Sequence, residues 1–446
     1  MTQQSDLDQI LAELYARQPE QHIRPRLEPT ARLVGLMGDP QKNYGIIHIT
    51  GTNGKTSTSR IIERILREHG LRTGRLTSPH LVSFNERIAL DGDPVSDEML
   101  VETYRDNKPL LDLVDQQLIA EGHQPLTFFE AFTALAFQLF SDAPVDVLVL
   151  EVGMGGEWDA TNVADADVAV FTAIDLDHRK SLGNTVEEIA TTKAGIIKDK
   201  SLVVSSPQYQ GVVEVLQSRS DNLRLSGRDF QYGDVIADGF GTRFSVRGLA
   251  GDYPQVWMPI IGFHQAQNAA TAIAAVELFL GEGSRPIADE VLRAALADAV
   301  SPGRLQVVSK DPLVVLDGAH NPAGMASLTA ALDLSFNSPK TLGLVAMLAD
   351  KDLSGTIAEM AKAFDQVVCT QPVSPRGLPA AELAQICEDY GIEVLAVEPS
   401  VSAAYKLANR LAAEEKAALF VTGSLYLIGD VLKYIQDQRM DDEDEE

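Results

Sequence analysis

Lys55 and Thr56 close a glycine-containing turn, IIHITGTNGKT over Ile46–Thr56, set between a short apolar run and an amphipathic one. Gly51 and Gly54 let backbone amides turn inward toward phosphate oxygens. Lys55 adds a point charge, and Thr56 adds a hydroxyl of the kind that meets Mg2+. The helix expected over Thr56–His69 carries Ile61, Ile62, Ile65 and Leu66 on one face, with Gly70 as its stop. Its N-terminus then points at the anion. A full Walker A motif has a further glycine where this chain has Ile49, so the string is the shorter GxxGKT form. The chemistry indicated is nucleotide-phosphate binding by Gly51, Thr52, Asn53, Gly54, Lys55 and Thr56.

A second set of groups could complete such a site. DVLVLEVGMGGEWDATN (Asp146–Asn162) puts Glu151 at the end of an apolar strand, before a glycine-rich loop. In open α/β sheets ligands bind at that carboxyl end, and a carboxylate there suits Mg2+. Val168–Ile174 runs into Asp175-Leu176-Asp177-His178, which brings an imidazole to a neighbouring strand end. Lys193, in ATTKAGIIK, fits a lysine snorkelling along an apolar helix as well as a functional group. Arg304 follows Ser301-Pro302-Gly303, where an arginine can reach into a cleft between domains. Asp317 and His320, in DGAHNP, follow another apolar run; Asp317 suits ribose hydroxyls, and turn chemistry is the alternative for both.

The elements needed to position these groups are legible around them. Strands are expected at Ile46–Thr50, Asp146–Val152, Val168–Ile174 and Leu202–Ser205, and helices at Thr127–Phe140 and Val186–Ile196. This alternation implies a P-loop-containing, mostly parallel α/β sheet with helices on both faces. Residues 223–262 are rich in Gly, Asp and Tyr and read as a small antiparallel element, followed by an alanine-rich helix at Gln265–Leu280. A fresh α/β pattern follows the Ser-Pro-Gly linker, with strands expected at Leu313–Leu316, Thr341–Ala346, Gln366–Thr370 and Ala418–Thr422. The expected domains are therefore 1–301, a smaller Rossmann-like 302–438, and an acidic, disordered tail over 439–446.

Composition narrows the function classes. The 446 residues carry a formal charge of −27, which argues against a nucleic-acid surface and requires any anion site to be locally positive. No apolar run approaches a membrane span, and the polar start lacks a secretory signal. Cys369 and Cys387 lie in no metal-binding pattern, consistent with two thiols in a reducing cytoplasm.

Taken together, HITGTNGKTS, LTSPHLVSFNERI, LTFFEAFTALAF, LEVGMGGEWDATN, KAGII, HQAQNAATAIAA, SPGR, LDGAHNP, MLADKD and VTGSLYLIGDV resemble the folylpolyglutamate synthase and dihydrofolate synthase family of the Mur ligase superfamily. The strings run from His48 to Val431, and the resemblance covers about residues 24 to 435. The resemblance implies an ATP-dependent ligase that phosphorylates a carboxylate and joins it to the amine of L-glutamate. Dihydropteroate, a reduced folate, or both would be the acceptor, and the strings lean toward the bifunctional bacterial type. It further implies Lys55, Glu151, His178 and Lys193 as the catalytic set. Ser78 and Glu151 would hold one Mg2+, and Glu151 and His178 a second, joined by Lys193 as a CO2-derived carbamate. Asn268, Arg304, Asp317 and His320 would contact ATP. Arg87, Thr127, Phe129, Glu130 and Asp159 would line the pterin pocket. A monomer without nucleic-acid or membrane partners is expected.

Two segments depart from the family pattern. Glu157 of Gly156-Glu157-Trp158 stands where an arginine is usual, and Arg179-Lys180 after His178 is an unusual pair that could supply the missing positive charge. The alternatives are a synthase restricted to polyglutamylation, a Mur-type ligase acting on a UDP-sugar peptide, and a non-catalytic nucleotide switch. The Mur-type reading needs a nucleotide-sugar module ahead of the P-loop. The switch would not need Glu151, His178 and Lys193 together.

Overall fold

The computed structural model describes residues 3–18, 25–336 and 340–445. Eight strands form the first sheet: β1 (Gly45–Thr50), β2 (Thr73–Leu76), β3 (Ile88–Leu90), β4 (Asp93–Pro94), β5 (Val147–Glu151), β6 (Val168–Phe171), β7 (Leu202–Ser205) and β8 (Leu223–Leu225). Their spatial order is β4-β3-β2-β5-β1-β6-β7-β8. Only β3 and β4, at one edge, run antiparallel to their neighbours. β1 sits between β5 and β6, with Ile49 opposite Glu151 and Thr50 opposite Phe171. Chain crossings run to both sides of β1, so a crevice opens at the carboxyl ends of β1, β5 and β6. The expected phosphate turn follows β1 there, Glu151 ends β5, and the loop after β6 carries His178.

Burial explains why these strands form. Ile46, Ile47 and Ile49 of β1 and Val147–Leu150 of β5 are almost wholly inaccessible, as parallel strands covered on both faces require. The helix Lys55–Glu68 lays Ile61, Ile62, Ile65 and Leu66 into the same core as the alanines of the helix Phe263–Gly281. Small side chains let those helices approach the sheet closely. On the opposite face, Phe128, Phe132, Phe137 and Phe140 of the helix Phe128–Asp142 join Leu7, Ile10 and Leu33 from the N-terminal helices.

The region expected to be antiparallel divides in two. β9 (Gln231–Ala237), β10 (Thr242–Arg247) and β11 (Asp252–Met258) form a three-stranded antiparallel sheet. Residues 223–225 instead extend the main sheet as β8, because Leu223 is buried with Val203, Val212 and Leu216.

The second sheet follows Ser301-Pro302-Gly303 and comprises β12 (Gln306–Lys310), β13 (Leu313–Leu316), β14 (Thr341–Val345), β15 (Gln366–Cys369), β16 (Glu393–Val397) and β17 (Ala418–Thr422). Its order is β12-β13-β17-β14-β15-β16, with only β12 antiparallel. The last helix runs from Leu425 to Glu445, through residues expected to be a disordered tail. Among the described residues no helix is long and apolar enough to cross a membrane.

Candidate active site

The turn after β1 is pinned from behind. Thr52 and Asn53 donate their amides to the Ala173 carbonyl at 2.8 and 3.2 Å, and Thr52 Oγ1 donates to the Asp175 carbonyl at 2.9 Å. Gly54 has φ 90°, and a Cβ there would lie 2.5 Å from Asn268 Oδ1. A Cβ on Gly51 would collide with Thr172 Oγ1. Both glycines are therefore sterically required. The helix from Lys55 starts at once, so its first, unsatisfied amides face the mouth of the turn.

Glu151, Lys55, Lys193, His178 and Ser78, all expected at the site, converge here on one cavity of about 850 Å3 between the two sheets. Glu151, 2 % exposed, accepts from Thr56 Oγ1 with both oxygens at 3.1 Å. Burial pushes its carboxyl up, against the pull of Lys55. Lys55 Nζ donates to the Gly51 and Thr52 carbonyls at 3.1 and 3.3 Å, and burial pushes its ammonium down. Lys193, 4 % exposed, donates to the Gly51 carbonyl at 2.8 Å. Burial, aided by Lys55, lowers it to about 7, so much of it is a neutral amine at neutral pH. His178 sits at the rim with φ 49°; desolvation and then Lys351 lower its ring to about 4, so it too is neutral. Ser78 lines the same cavity.

The second sheet contributes the facing wall. Arg304, Asp317 and His320 line the cavity, with Asn268 across from them. Asp317 is less free than expected: its two oxygens accept from the Leu305 and Ala319 amides, each at 2.9 Å. His320 Nδ1 lies 2.8 Å from the Gly318 carbonyl, and burial lowers its ring to about 4.

Three further residues, absent from the expected set, hold the walls together. Lys351 Nζ reaches Asp177 Oδ1 at 2.9 Å. Asn321 donates to Asn53 Oδ1 at 3.2 Å and to Asp177 Oδ2 at 3.4 Å. All three lie inside stretches already singled out (Asp175-Leu176-Asp177-His178, DGAHNP and MLADKD), but only the fold brings them together.

Residues 97–276 match the Mur ligase middle domain, and residues 303–425 match the Mur ligase glutamate ligase domain. The dihydrofolate synthase/folylpolyglutamate synthase of Mycobacterium tuberculosis is 40% identical, over 92% of this chain and 87% of that protein. The chain belongs to the dihydrofolate synthase/folylpolyglutamate synthase family. The Escherichia coli member of that name is 32% identical over 93% of this chain and 92% of its own length. A solved folylpolyglutamate synthase of M. tuberculosis, complexed with ADP and AMPPCP, superposes with TM-score 0.91 at 37% identity, covering 96% of this chain and 98% of that one. The structure described as E. coli FolC in complex with DHPP and ADP superposes with TM-score 0.85 at 30% identity, covering 97% and 98%.

Within this family member, the pterin side needs correction. Thr127, Phe129, Glu130 and Asp159 line the cavity, whereas Arg87 is not among its lining residues. Arg87 is buried over the rings of Phe84, Phe128 and Phe132, 5.5–5.8 Å from their centroids, and donates to His80 Nδ1 at 2.9 Å. Its cation is held by an aromatic cluster. Glu130 is also committed. It accepts from Arg26 at 2.8 and 2.7 Å and from the Thr127 amide at 2.7 Å, in a capping box with Thr127. Asp159 organises its own loop by accepting from the Met154 and Thr161 amides at 2.8 and 3.0 Å. Phe129 is the aromatic ring of the expected set that lines the cavity.

The departures from the family pattern separate as well. The Glu157 side chain is exposed and lies outside the cavity lining, so the charge reversal there does not face the anion site. Arg179 and Lys180 are exposed at the cavity rim.

Mg2+ fits one part of this donor set. Glu151 is a buried carboxylate whose only protein donor among the described residues is the Thr56 hydroxyl, and Ser78 adds a second hard oxygen to the lining. The second expected set is incomplete. Lys193 as an amine is already bonded to a carbonyl, and no group of three His, Cys, Asp or Glu among the described residues could hold a metal.

Proposed function

We propose that this protein is an ATP-dependent ligase that joins the carboxylate of dihydropteroate, and the γ-carboxylate of a reduced folate, to the amine of L-glutamate. The observation that carries this reading is the convergence of Lys55, Thr56, Glu151 and Lys193 on one cavity whose far wall belongs to the second domain. The high-coverage relatives in both M. tuberculosis and E. coli, named for both synthase activities, support the bifunctional form.

On this reading the turn Gly51–Thr56 and Lys55 hold the ATP phosphates, and Asn268, Arg304 and His320 hold the nucleotide. An oxygen of the acceptor carboxylate attacks the γ-phosphorus, and ADP departs. The glutamate nitrogen then attacks the acyl carbon, and inorganic phosphate leaves with the C–O electron pair. Glu151 with Ser78 would hold Mg2+, which supplies charge neutralisation for phosphoryl transfer. Neutral His178 would offer one ligand to a second ion, whose set is incomplete without a further anionic oxygen. Lys193 can do so only after its amine takes up CO2, for which a value near 7 prepares it. Asp177, Lys351 and Asn321 keep the walls together and exclude water from the acyl phosphate. Phe129 stacks on the pterin. The enzyme acts as a monomer in the cytoplasm, where the buried, free thiols of Cys369 and Cys387 stay reduced.

The test is ADP release from ATP with each substrate omitted in turn. Dihydropteroate and then tetrahydrofolate serve as acceptors, with products identified by mass. Release that requires both acceptor and glutamate, with both amides formed, is expected. Release without an acceptor, or with a UDP-sugar peptide in its place, overturns the assignment.

A further inference from the structure

Arg60 is a cavity-lining guanidinium that nothing in the protein uses. It lies on the helix Lys55–Glu68, one turn beyond Thr56 and three residues after Ser57. Thr56 reaches Glu151, and Ser57 Oγ lies 2.9 Å from Ser301 Oγ at the start of the linker. Arg60 therefore sits between the phosphate-transfer end of the cavity and the domain junction. Its Nε is withdrawn from solvent and has no hydrogen-bond partner, and its guanidinium makes no ion pair among the described residues.

The carboxylates around it are spoken for. Glu63 pairs with Arg75 at 2.6 Å. Glu86 accepts the amides of Leu81, Val82 and Ser83 at 2.8–2.9 Å. Glu151 takes Thr56. Five other cations of the lining are engaged: Lys55 and Lys193 on the turn's carbonyls, Arg26 on Glu130, Lys351 on Asp177 and Arg376 on Asp350; Arg179 and Lys180 lie at the exposed rim, and Arg304 stands on the nucleotide side. A buried Nε without a partner is costly, and the half-buried guanidinium matches a carboxylate held through two parallel hydrogen bonds.

With dihydropteroate as acceptor, the carboxylates that keep their charge throughout the reaction are the two of the incoming glutamate, because the acceptor's own is consumed as acyl phosphate; a reduced folate brings one more, its α-carboxylate. We infer that Arg60 receives a carboxylate of the incoming glutamate, and so positions its amine beside the acyl carbon and sets the preference for an acidic amino acid. This rests on the ligase reading above. Arg60 is a substrate-positioning residue, and the bond-forming step is unchanged: C–N forms, C–O breaks, phosphate leaves, and the ammonium proton passes to solvent.

The test compares the parent with Arg60→Ala and Arg60→Lys using two nucleophiles. Glutamate carries the carboxylate; hydroxylamine does not, and it traps acyl phosphate as a hydroxamate with release of phosphate. For Arg60→Ala the KM for glutamate is expected to rise by about 30-fold or more, the scale of losing one buried charged partner. KM for ATP and the rate of hydroxamate formation should stay at parent values. Arg60→Lys, which keeps charge but loses the fork, is expected to fall between. Added guanidinium should partly restore Arg60→Ala. An unchanged glutamate KM in both variants overturns the inference, as does equal loss of hydroxamate and amide, which would place Arg60 on the phosphate or acceptor. If the alanine variant does not fold, the lysine variant carries the same comparison. A parent enzyme that forms neither product fails the ligase reading instead.

Discussion

Lys351 Nζ lies 2.9 and 3.2 Å from the two carboxylate oxygens of Asp177, and this pair clasps the second domain to the loop that carries His178. The side chains are 9% and 12% exposed, between a surface pair and a buried one. Burial works to raise the Asp177 carboxyl, but Lys351, His178 and His320 override it and hold it well below the usual carboxylate range. A depressed carboxyl contributes stability above its unfolded value of 3.8, and that contribution fades as pH falls toward the lower folded value. The clasp therefore holds across the neutral range and weakens only in acid. Lys351→Met is expected to cost about 1–3 kcal/mol of coupling between the domains and to slow amide formation. A double-mutant cycle with Asp177→Asn checks it. Additive effects in urea melts and in turnover would remove the clasp from the mechanism.

Glu151 gives a prediction of opposite sign. Its carboxyl is raised by burial, so the folded state binds its proton more tightly than the unfolded chain. Stability then falls as pH climbs from 4.5 toward the raised value. At neutral pH and without divalent ions, Glu151→Gln should melt at or above the parent temperature. It should also lose the shift that Mg2+ gives the parent, and its turnover should fall by more than about 100-fold, as when a main electrostatic element of a site is removed. A variant that melts lower without metal, or still responds to Mg2+, would contradict the placement of the cation.

Lys193 links pH to CO2. Its folded value of about 7 lies below its ordinary 10.5, so between those values the unfolded chain holds more protons, and stability rises with pH. In CO2-free buffer Lys193→Met should flatten that rise. Carbamylation needs the neutral amine, so activity should fall below pH 7 and depend on added bicarbonate. Carbon-13 bicarbonate should give a carbamate signal in the parent that the methionine variant lacks. Full activity in CO2-free buffer, with no such signal, would leave Lys193 as a cation on the Gly51 carbonyl.

The strands that position this site were readable because each is a continuous apolar run covered on both faces. Leu202–Ser205, Leu313–Leu316 and Ala418–Thr422 have the expected bounds. Elements whose sequence is mixed were not readable. β2 reads TGRL and buries Arg75 against Glu63, and the helix Asp97–Ala120 contains Pro109. β12 and β16 are half-exposed edge strands. At the site, strand ends and glycines marked where chemistry gathers, but not which groups were already paired. Glu130 looks like a free carboxylate until Arg26, 104 residues away, is folded onto it. Arg87 looks like a ligand group until three aromatic rings enclose it. Lys351 and Asp177, 174 residues apart, carry no local signal of their partnership.

Gly54 offers the sharpest steric test of the phosphate turn, because a second glycine serves as its control. Gly54 and Gly70 have φ 90° and 82°, so alanine is strained at both, by about 1 kcal/mol or more. They differ in surroundings. Nothing lies within 4 Å of a Cβ on Gly70, whereas a Cβ on Gly54 meets Asn268 Oδ1 at 2.5 Å. Gly54→Ala must therefore displace the Asn268 side chain from the bond it donates to Gln265 Oε1, or move the turn or the helix Phe263–Gly281. It is expected to lose more stability than Gly70→Ala in urea melts, and to lose binding of a non-hydrolysable ATP analogue by calorimetry. Gly70→Ala should bind the analogue as the parent does. Equal melts, or nucleotide binding by Gly54→Ala at parent affinity, would mean that the turn tolerates the side chain and that Asn268 does not close against it.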